Sequence, residues 1–262
     1  MTQIRYTLMD PTGNRTVLVE TPVPASRQPQ VAAFLMQCEP DAEQVGFLQS
    51  GTNGADIALR MAGGEFCANA TMSAAAIWAD RHGLPVCTVS VQVSGAAEPV
   101  AVHLRRQDGG AWRAAVEMPR PEAIRQVSFD DGQTLPVVFL PGIAHVILEN
   151  VLPDDTAQTR AGAMCAFLGA EAVGLMYLDL PAQALRPLVY VPAAGTLFWE
   201  SACGSGTSAV GAYLAHQSGK PVRIALRQPG GVLGVKASAD GALLLEGGTK
   251  FVHQKAVGCE TE

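Results

Sequence analysis

Ser201-Ala202-Cys203-Gly204-Ser205-Gly206-Thr207-Ser208-Ala209-Val210-Gly211-Ala212-Tyr213-Leu214-Ala215 is the stretch on which the reading of this chain turns. A cysteine is followed by three tiny residues and then by a helix-forming run. The chain writes the same thing earlier, as Glu65-Phe66-Cys67-Ala68-Asn69-Ala70-Thr71-Met72-Ser73-Ala74-Ala75-Ala76-Ile77-Trp78-Ala79. From their cysteines onward the two segments align without a gap: Cys67 meets Cys203, Thr71 meets Thr207, Ala76 meets Ala212 and Ala79 meets Ala215. They read as two copies of one device.

Each copy starts a helix at a cysteine. Ala, Met and Leu favour helix, and the Gly, Ser or Asn beside the sulfur suits a tight entry into the first turn. The unpaired N–H groups of such a terminus carry roughly half a positive charge, enough to hold a carboxylate and to draw the pKa of a thiol from about 8.5 toward neutrality. Two such thiols on opposite faces of one carbon meet the requirement for inverting a stereocentre. One, as thiolate, removes a proton, and the other, as thiol, returns one from the far side. The competing reading is that each cysteine is a small core hydrophobe. Repetition of the whole context favours the chemical reading.

Composition narrows the classes. The chain has 262 residues, 48% of them apolar and 16% charged, which describes a globular protein with a sizeable core. A net charge of −6 with one adjacent basic pair, Arg105-Arg106, gives no electrostatic reason to bind nucleic acid. No apolar run approaches the roughly 20 residues needed to span a bilayer, and no signal-like segment opens the chain, so a cytoplasmic protein without a membrane partner is expected. The six cysteines are scattered with no CxxC pair, which fits neither a zinc site nor a disulfide framework. Reduced thiols and no metal are the expectation.

Phe66-Cys67-Ala68-Asn69-Ala70 and Ala202-Cys203-Gly204-Ser205-Gly206 resemble the two cysteine motifs of the diaminopimelate epimerases. That superfamily comprises cofactor-independent racemases and epimerases. The resemblance implies an α+β fold of two similar halves, each an antiparallel β-barrel around a central α-helix, with Cys67 and Cys203 catalytic. It also implies that Ala68, Asn69, Gly204 and Ser205 hold the substrate carboxylate. Gly13-Asn14 matches a Gly-Asn whose Asn14 side chain touches substrate, and Glu43-Gln44-Val45 matches a motif that makes Gln44 a contact. Pro141-Gly142-Ile143-Ala144-His145 corresponds to a Gly-Asn-Pro-His motif, so His145 falls on an active-site histidine and Ile143 replaces an asparagine. Glu200 lies one residue from the register of the family's glutamate.

The coarse secondary structure reads as a duplication, with the first half over 1–119, the second over 120–249, and a tail, 250–262, returning to the first. The first half holds an opening hairpin to Val19, a helix from Gln28 to Gln37, strands at Glu43–Leu48 and Ile57–Met61, the Cys67 helix and a three-strand meander. The second holds strands at Leu135–Leu140, His145–Glu149, Val173–Leu178 and Arg186–Val191. A helix over 155–167, the Cys203 helix and three closing strands, the last ending at Gly247, complete it.

Between Arg186 and Cys203 there is no arginine to grip a second head group, and the nearby residues are Phe198 and Trp199. This pattern is similar to superfamily members that racemise histidine. The expected function is therefore cofactor-independent racemisation of a free amino acid, histidine first. Diaminopimelate epimerisation and a non-catalytic small-molecule binding module of the same fold are the alternatives. A small-molecule substrate is the expected partner, and a homodimer is compatible with the pattern. Gly204-Ser205-Gly206-Thr207-Ser208-Ala209 also fits the dinucleotide fingerprint, but it lies too near the C-terminus to leave a doubly wound domain after it.

Overall fold

Alternating apolar residues draw the opening segment into β1 (Thr2–Pro11), which turns at Thr12-Gly13 into β2 (Thr16–Val19). Gly13 takes a φ of 86°, and its N–H is held by Asp10 Oδ1 at 2.7 Å. There follow α1 (Gln28–Cys38), with a proline in its first turn, β3 (Gln44–Ser50), β4 (Ile57–Met61) and α2 (Ala68–Arg81). β5 (Val86–Val93), β6 (Val100–Arg106) and β7 (Trp112–Met118) form the meander. The second series runs β8 (Ala123–Ser128), β9 (Thr134–Leu140), β10 (Ile143–Glu149), α3 (Ala157–Leu168), β11 (Val173–Asp179) and β12 (Ala184–Val191). It closes with β13 (Thr196–Trp199), α4 (Gly204–Ser218), β14 (Val222–Gln228), β15 (Gly231–Ala237) and β16 (Leu243–Cys259). This computed structural model describes residues 2–259.

The chain divides into two units, Met1–Glu117 with Glu246–Glu262, and Met118–Leu245. In the first, β1 to β7 pair in chain order, β16 adds to β7, and β16 pairs back onto β1, closing an eight-strand barrel. α2 packs against β1, β2, β4, β5 and β6. Ala68 to Ile77 are all buried, which small side chains permit and large ones would prevent. In the second unit the order is β8-β9-β10-β11-β12-β14-β15, followed by the start of β16, with β13 on β12. α4 packs against β9, β10, β11, β14 and β15, and α3 against β11 and β12. The architecture is mixed α+β with an eight-strand barrel and few helices. Among the described residues no helix is long and apolar enough to cross a membrane.

Three features differ from the sequence expectation. The sheets are mixed rather than antiparallel: β2 with β3, β4 with β5, β10 with β11 and β12 with β14 are parallel. Each of these pairs is joined through a helix, because parallel neighbours need a crossover that a tight turn cannot make. Two strands, β8 and β13, were not anticipated. β8 lacks a clean alternation and β13 is only four residues long with exposed aromatics, so neither carries a periodic signal. The final strand does not stop at Gly247 but continues to Cys259, pairing with β1 from Thr249 opposite Pro11 to Cys259 opposite Thr2.

A buried carboxylate fixes that last run. Glu39, at the end of α1, accepts at one oxygen, Oε1, from Tyr6 Oη at 2.7 Å, His253 Nε2 at 2.8 Å and Lys255 Nζ at 2.9 Å. Burial alone would raise the Glu39 pKa, but the donors from Tyr6, Lys255 and His253 outweigh it and hold the group at about 2, below its ordinary 4.5. A depressed carboxylate stabilises the fold above its unfolded pKa and loses that contribution as pH falls through its folded pKa. Glu39→Gln should therefore cost about 1–3 kcal/mol in urea unfolding at pH 7. The deficit relative to the wild type should shrink between pH 4.5 and about 2, where the wild-type carboxylate takes up its proton. A variant as stable as the wild type at neutral pH would remove this cluster from the account of β16.

Candidate active site

Cys67 and Cys203 are the N-cap residues of α2 and α4, and their local geometries repeat. Their backbones are extended, with φ and ψ of −127° and 109° at Cys67 and −106° and 111° at Cys203. Each sulfur accepts the N–H three residues on, Ala70 N at 3.4 Å and Gly206 N at 3.3 Å. Each carbonyl accepts a threonine hydroxyl four residues on, Thr71 and Thr207, both at 2.7 Å. The sulfur thus takes the place of the Ser or Asp oxygen that usually caps a helix. Ala68 and Asn69, like Gly204 and Ser205, occupy the first turn, whose backbone N–H groups have no partner within the helix.

In the first unit, Cys67 is 8% exposed and its thiol donates to Gln44 Oε1 at 2.8 Å. Gln44 opens β3 in parallel register with Thr16 of β2. That pairing brings the neighbouring Asn14 beside β3, where its amide donates to Glu43 Oε2 at 2.9 Å. Asn14 is wholly buried and Asn69 nearly so. Cys67 and Gln44 are thus in direct contact, with Ala68 and Asn69 following the cysteine and Asn14 bonded to Glu43, the neighbour of Gln44.

In the second unit, Cys203 is 4% exposed and lies 3.5 Å from Ser205 Oγ. Its N–H donates to Gln228 Oε1 at 2.8 Å, and Gln228 Nε2 donates to Thr207 Oγ1, also at 2.8 Å. Gln228 ends β14 and locks the entry to α4. No local motif marks this residue, which lies 25 positions from the cysteine. The threonine partner, by contrast, was visible in the aligned repeat.

The expectation that a helix terminus lowers the thiol pKa does not hold for Cys203. Burial pushes the thiol well above its ordinary value, and the Glu200 charge adds to the rise; the Ser205 hydroxyl and Gly206 N–H pull only partly the other way. Desolvation of a thiolate exceeds the gain from two donors. Glu200 also hydrogen-bonds the thiol, so these two residues form a pair.

His145 lies on β10, wholly buried, with no hydrogen-bond partner for either ring nitrogen among the described residues. Burial holds its pKa down at about 3, so the ring is neutral. It makes no hydrogen bond to either cysteine. Ahead of Cys203, the Arg186 guanidinium lies 5.3 Å from the ring centroid of Trp199, and Tyr177 tilts against the same ring at 5.6 Å.

The barrel and its helical crossovers give the chain a fold shared with solved structures. A predicted epimerase from Pseudomonas aeruginosa superposes with a TM-score of 0.74 at 18% identity, covering 98% of this chain and 100% of that one. A PhzF-family phenazine biosynthesis protein from Bacillus anthracis gives 0.72 at 14% identity, covering 99% and 100%. These likenesses concern the fold alone. Residues 3–246 match the family described as histidine racemase CntK N-terminal domain, and the chain belongs to that family of isomerases. A histidine racemase from Staphylococcus aureus is 31% identical over 246 residues, 87% of this chain and 86% of that protein.

The Glu200 pairing makes a direct prediction. Removing a carboxylate that opposes thiolate formation should lower the Cys203 pKa, so Glu200→Gln should be alkylated by iodoacetamide at Cys203 severalfold faster than the wild type at each pH from 7 to 9. Peptide mass spectrometry reads the rate; equal rates in the two proteins would separate Glu200 from the thiol.

Proposed function

We propose that this protein racemises free histidine without a cofactor, by a two-base mechanism in which Cys67 and Cys203 serve as the acid and base. The observation that carries the reading is the repeated cap: two cysteines with matching backbone, sulfur and threonine contacts, in a chain of the histidine racemase family. A thiolate at one cysteine takes the α-proton and leaves a carbanion. The thiol at the other gives its own proton to the opposite face, and the two sulfurs exchange protonation states. The α-carboxylate lies against the first-turn N–H groups at Ala68-Asn69 and Gly204-Ser205, which stabilise the charge that builds as the proton leaves. Asn14 and Gln44 complete the substrate contacts on the first unit. Burial and the Glu200 carboxylate favour the thiol form of Cys203.

The finer fold reading belongs to the same proposal: each unit is one half of a diaminopimelate epimerase-like pair, a barrel around its cysteine-capped helix. Supporting it are the matching helical crossovers that join parallel strands in both units. Histidine is preferred over diaminopimelate because no arginine is offered to a second head group. Arg186, the nearest before Cys203, is engaged with Trp199, and Ile143 stands where the epimerases place an amide. A site without a directional fork discriminates poorly in favour of a distal carboxylate.

Incubation in D2O with L-histidine, other L-amino acids and L,L-diaminopimelate tests the reaction, with deuterium at Cα followed by NMR and chirality by chromatography. Histidine should exchange and invert, and diaminopimelate should not. Cys67→Ser and Cys203→Ser should each lower inversion about a thousandfold or more while remaining folded, because a serine hydroxyl is far too weak an acid to replace the thiolate. Cys87→Ser and Cys165→Ser should leave the rate unchanged. A folded Cys203→Ser variant near the wild-type rate would end the two-thiol mechanism, and exchange on no substrate would favour the binding module.

A further inference from the structure

The two copies of the cysteine device differ at their third helical position. The first has Ala70 and the second has Gly206. A Cβ at Gly206 would overlap Met176 Sδ and stand 3.1 Å from Cys203 Sγ. The space that a methyl fills in the first copy is therefore taken, in the second, by a thioether from another element.

Met176 reaches that space because of the strand it sits on. Along β11, Val173, Leu175 and Tyr177 pack into the cluster that contains Ala157, Ala161 and Met164 of α3. Alternation sends Gly174 and Met176 to the opposite face, toward α4. Gly174 has a second constraint, since a Cβ there would overlap His145 Nδ1 and lie 2.8 Å from Met176 Cε. A glycine on each side thus leaves a notch, and Met176, itself wholly buried, fills it. Its flexible thioether suits an irregular gap.

We propose that Met176 is a positioning residue for Cys203: seated in the notch between Gly174 and Gly206, its thioether walls off the inner side of the Cys203 sulfur and fixes the direction in which it points. The proposal rests on the two-thiol reading for its kinetic consequences, but the geometry of the sulfur can be measured without turnover. A proton transfer needs its donor held in line, so a sulfur free to swing loses rate rather than substrate affinity.

Three variants test it: Met176→Ala, Met176→Leu and Gly206→Ala. Gly206→Ala displaces the flexible end of Met176 and also brings a methyl to 3.1 Å from Cys203 Sγ, so Met176→Ala is the variant that isolates the thioether, and melting temperatures check that each variant is folded. Kinetics of histidine racemisation and the pH profile of Cys203 alkylation by iodoacetamide, read by peptide mass spectrometry, are measured on each. Met176→Ala and Gly206→Ala should lose about tenfold or more in kcat with KM within about threefold, and both should alkylate Cys203 faster at every pH as reagent and water reach the sulfur. Met176→Leu, close in volume, should restore both readouts toward wild type. Folded variants whose alkylation profiles match the wild type would overturn the assignment, as would a fall in kcat that only tracks a loss of folded protein. If no variant, nor the wild type, turns over histidine while the alkylation profiles shift as described, the positioning role stands and the proposed reaction fails.

Discussion

A sulfur standing at the N-cap of a helix is the constraint on which this structure depends. An N-cap acceptor usually offers a small, strongly polar oxygen, and the orphan N–H groups of the first turn reward it. Sulfur is a weaker acceptor, so the same entry needs help. In both copies that help is a threonine hydroxyl closing on the cysteine carbonyl at 2.7 Å, one turn further on. In the second copy Gln228 adds a bond to the Cys203 N–H and another to Thr207. The second cap is thus held through the Cys203 N–H, carbonyl and sulfur together.

Burying such a helix dictates the rest. α2 and α4 are built from Ala, Gly, Ser and Thr at positions that other folds give to Leu or Ile, and this lets strands approach on several sides. β4 and β5, joined through α2, and β12 and β14, joined through β13 and α4, pair in parallel, since a helix supplies the crossover that a tight turn cannot. The barrel of the first unit closes only when β16 returns to β1, and the Glu39 cluster ties that return to α1. Closure leaves no free edge in that unit, which removes a template for unwanted strand pairing.

The two thiols meet different neighbours although their caps agree. Cys67 meets the amide oxygen of Gln44, a neutral acceptor. Burial of Cys203, and after it the Glu200 carboxylate beside the sulfur, favour its protonated form. Two-base inversion needs groups that are alike in kind but offset in protonation. In the mechanism proposed above, the different neighbours of the two cysteines would serve that offset.

Periodicity and repetition made much of this legible in the sequence: the two helices with their cysteines, most of the strands, and the kinship to racemases. These are local signals, and residues three or four apart on a helix, or alternating on a strand, carry them in the order of the chain. Gln44 and Asn14 were also within reach, because short motifs mark them. What tertiary structure alone decided are contacts between distant elements: the parallel pairings, β13, the reach of β16, Gln228 beneath Cys203 and Met176 against Gly206. The sign of the Cys203 pKa shift belongs with them. A helix terminus can be read from the residues that start it, but how deeply a sulfur is buried, and which carboxylate stands beside it, depends on what packs over it, and no spacing along the chain records that.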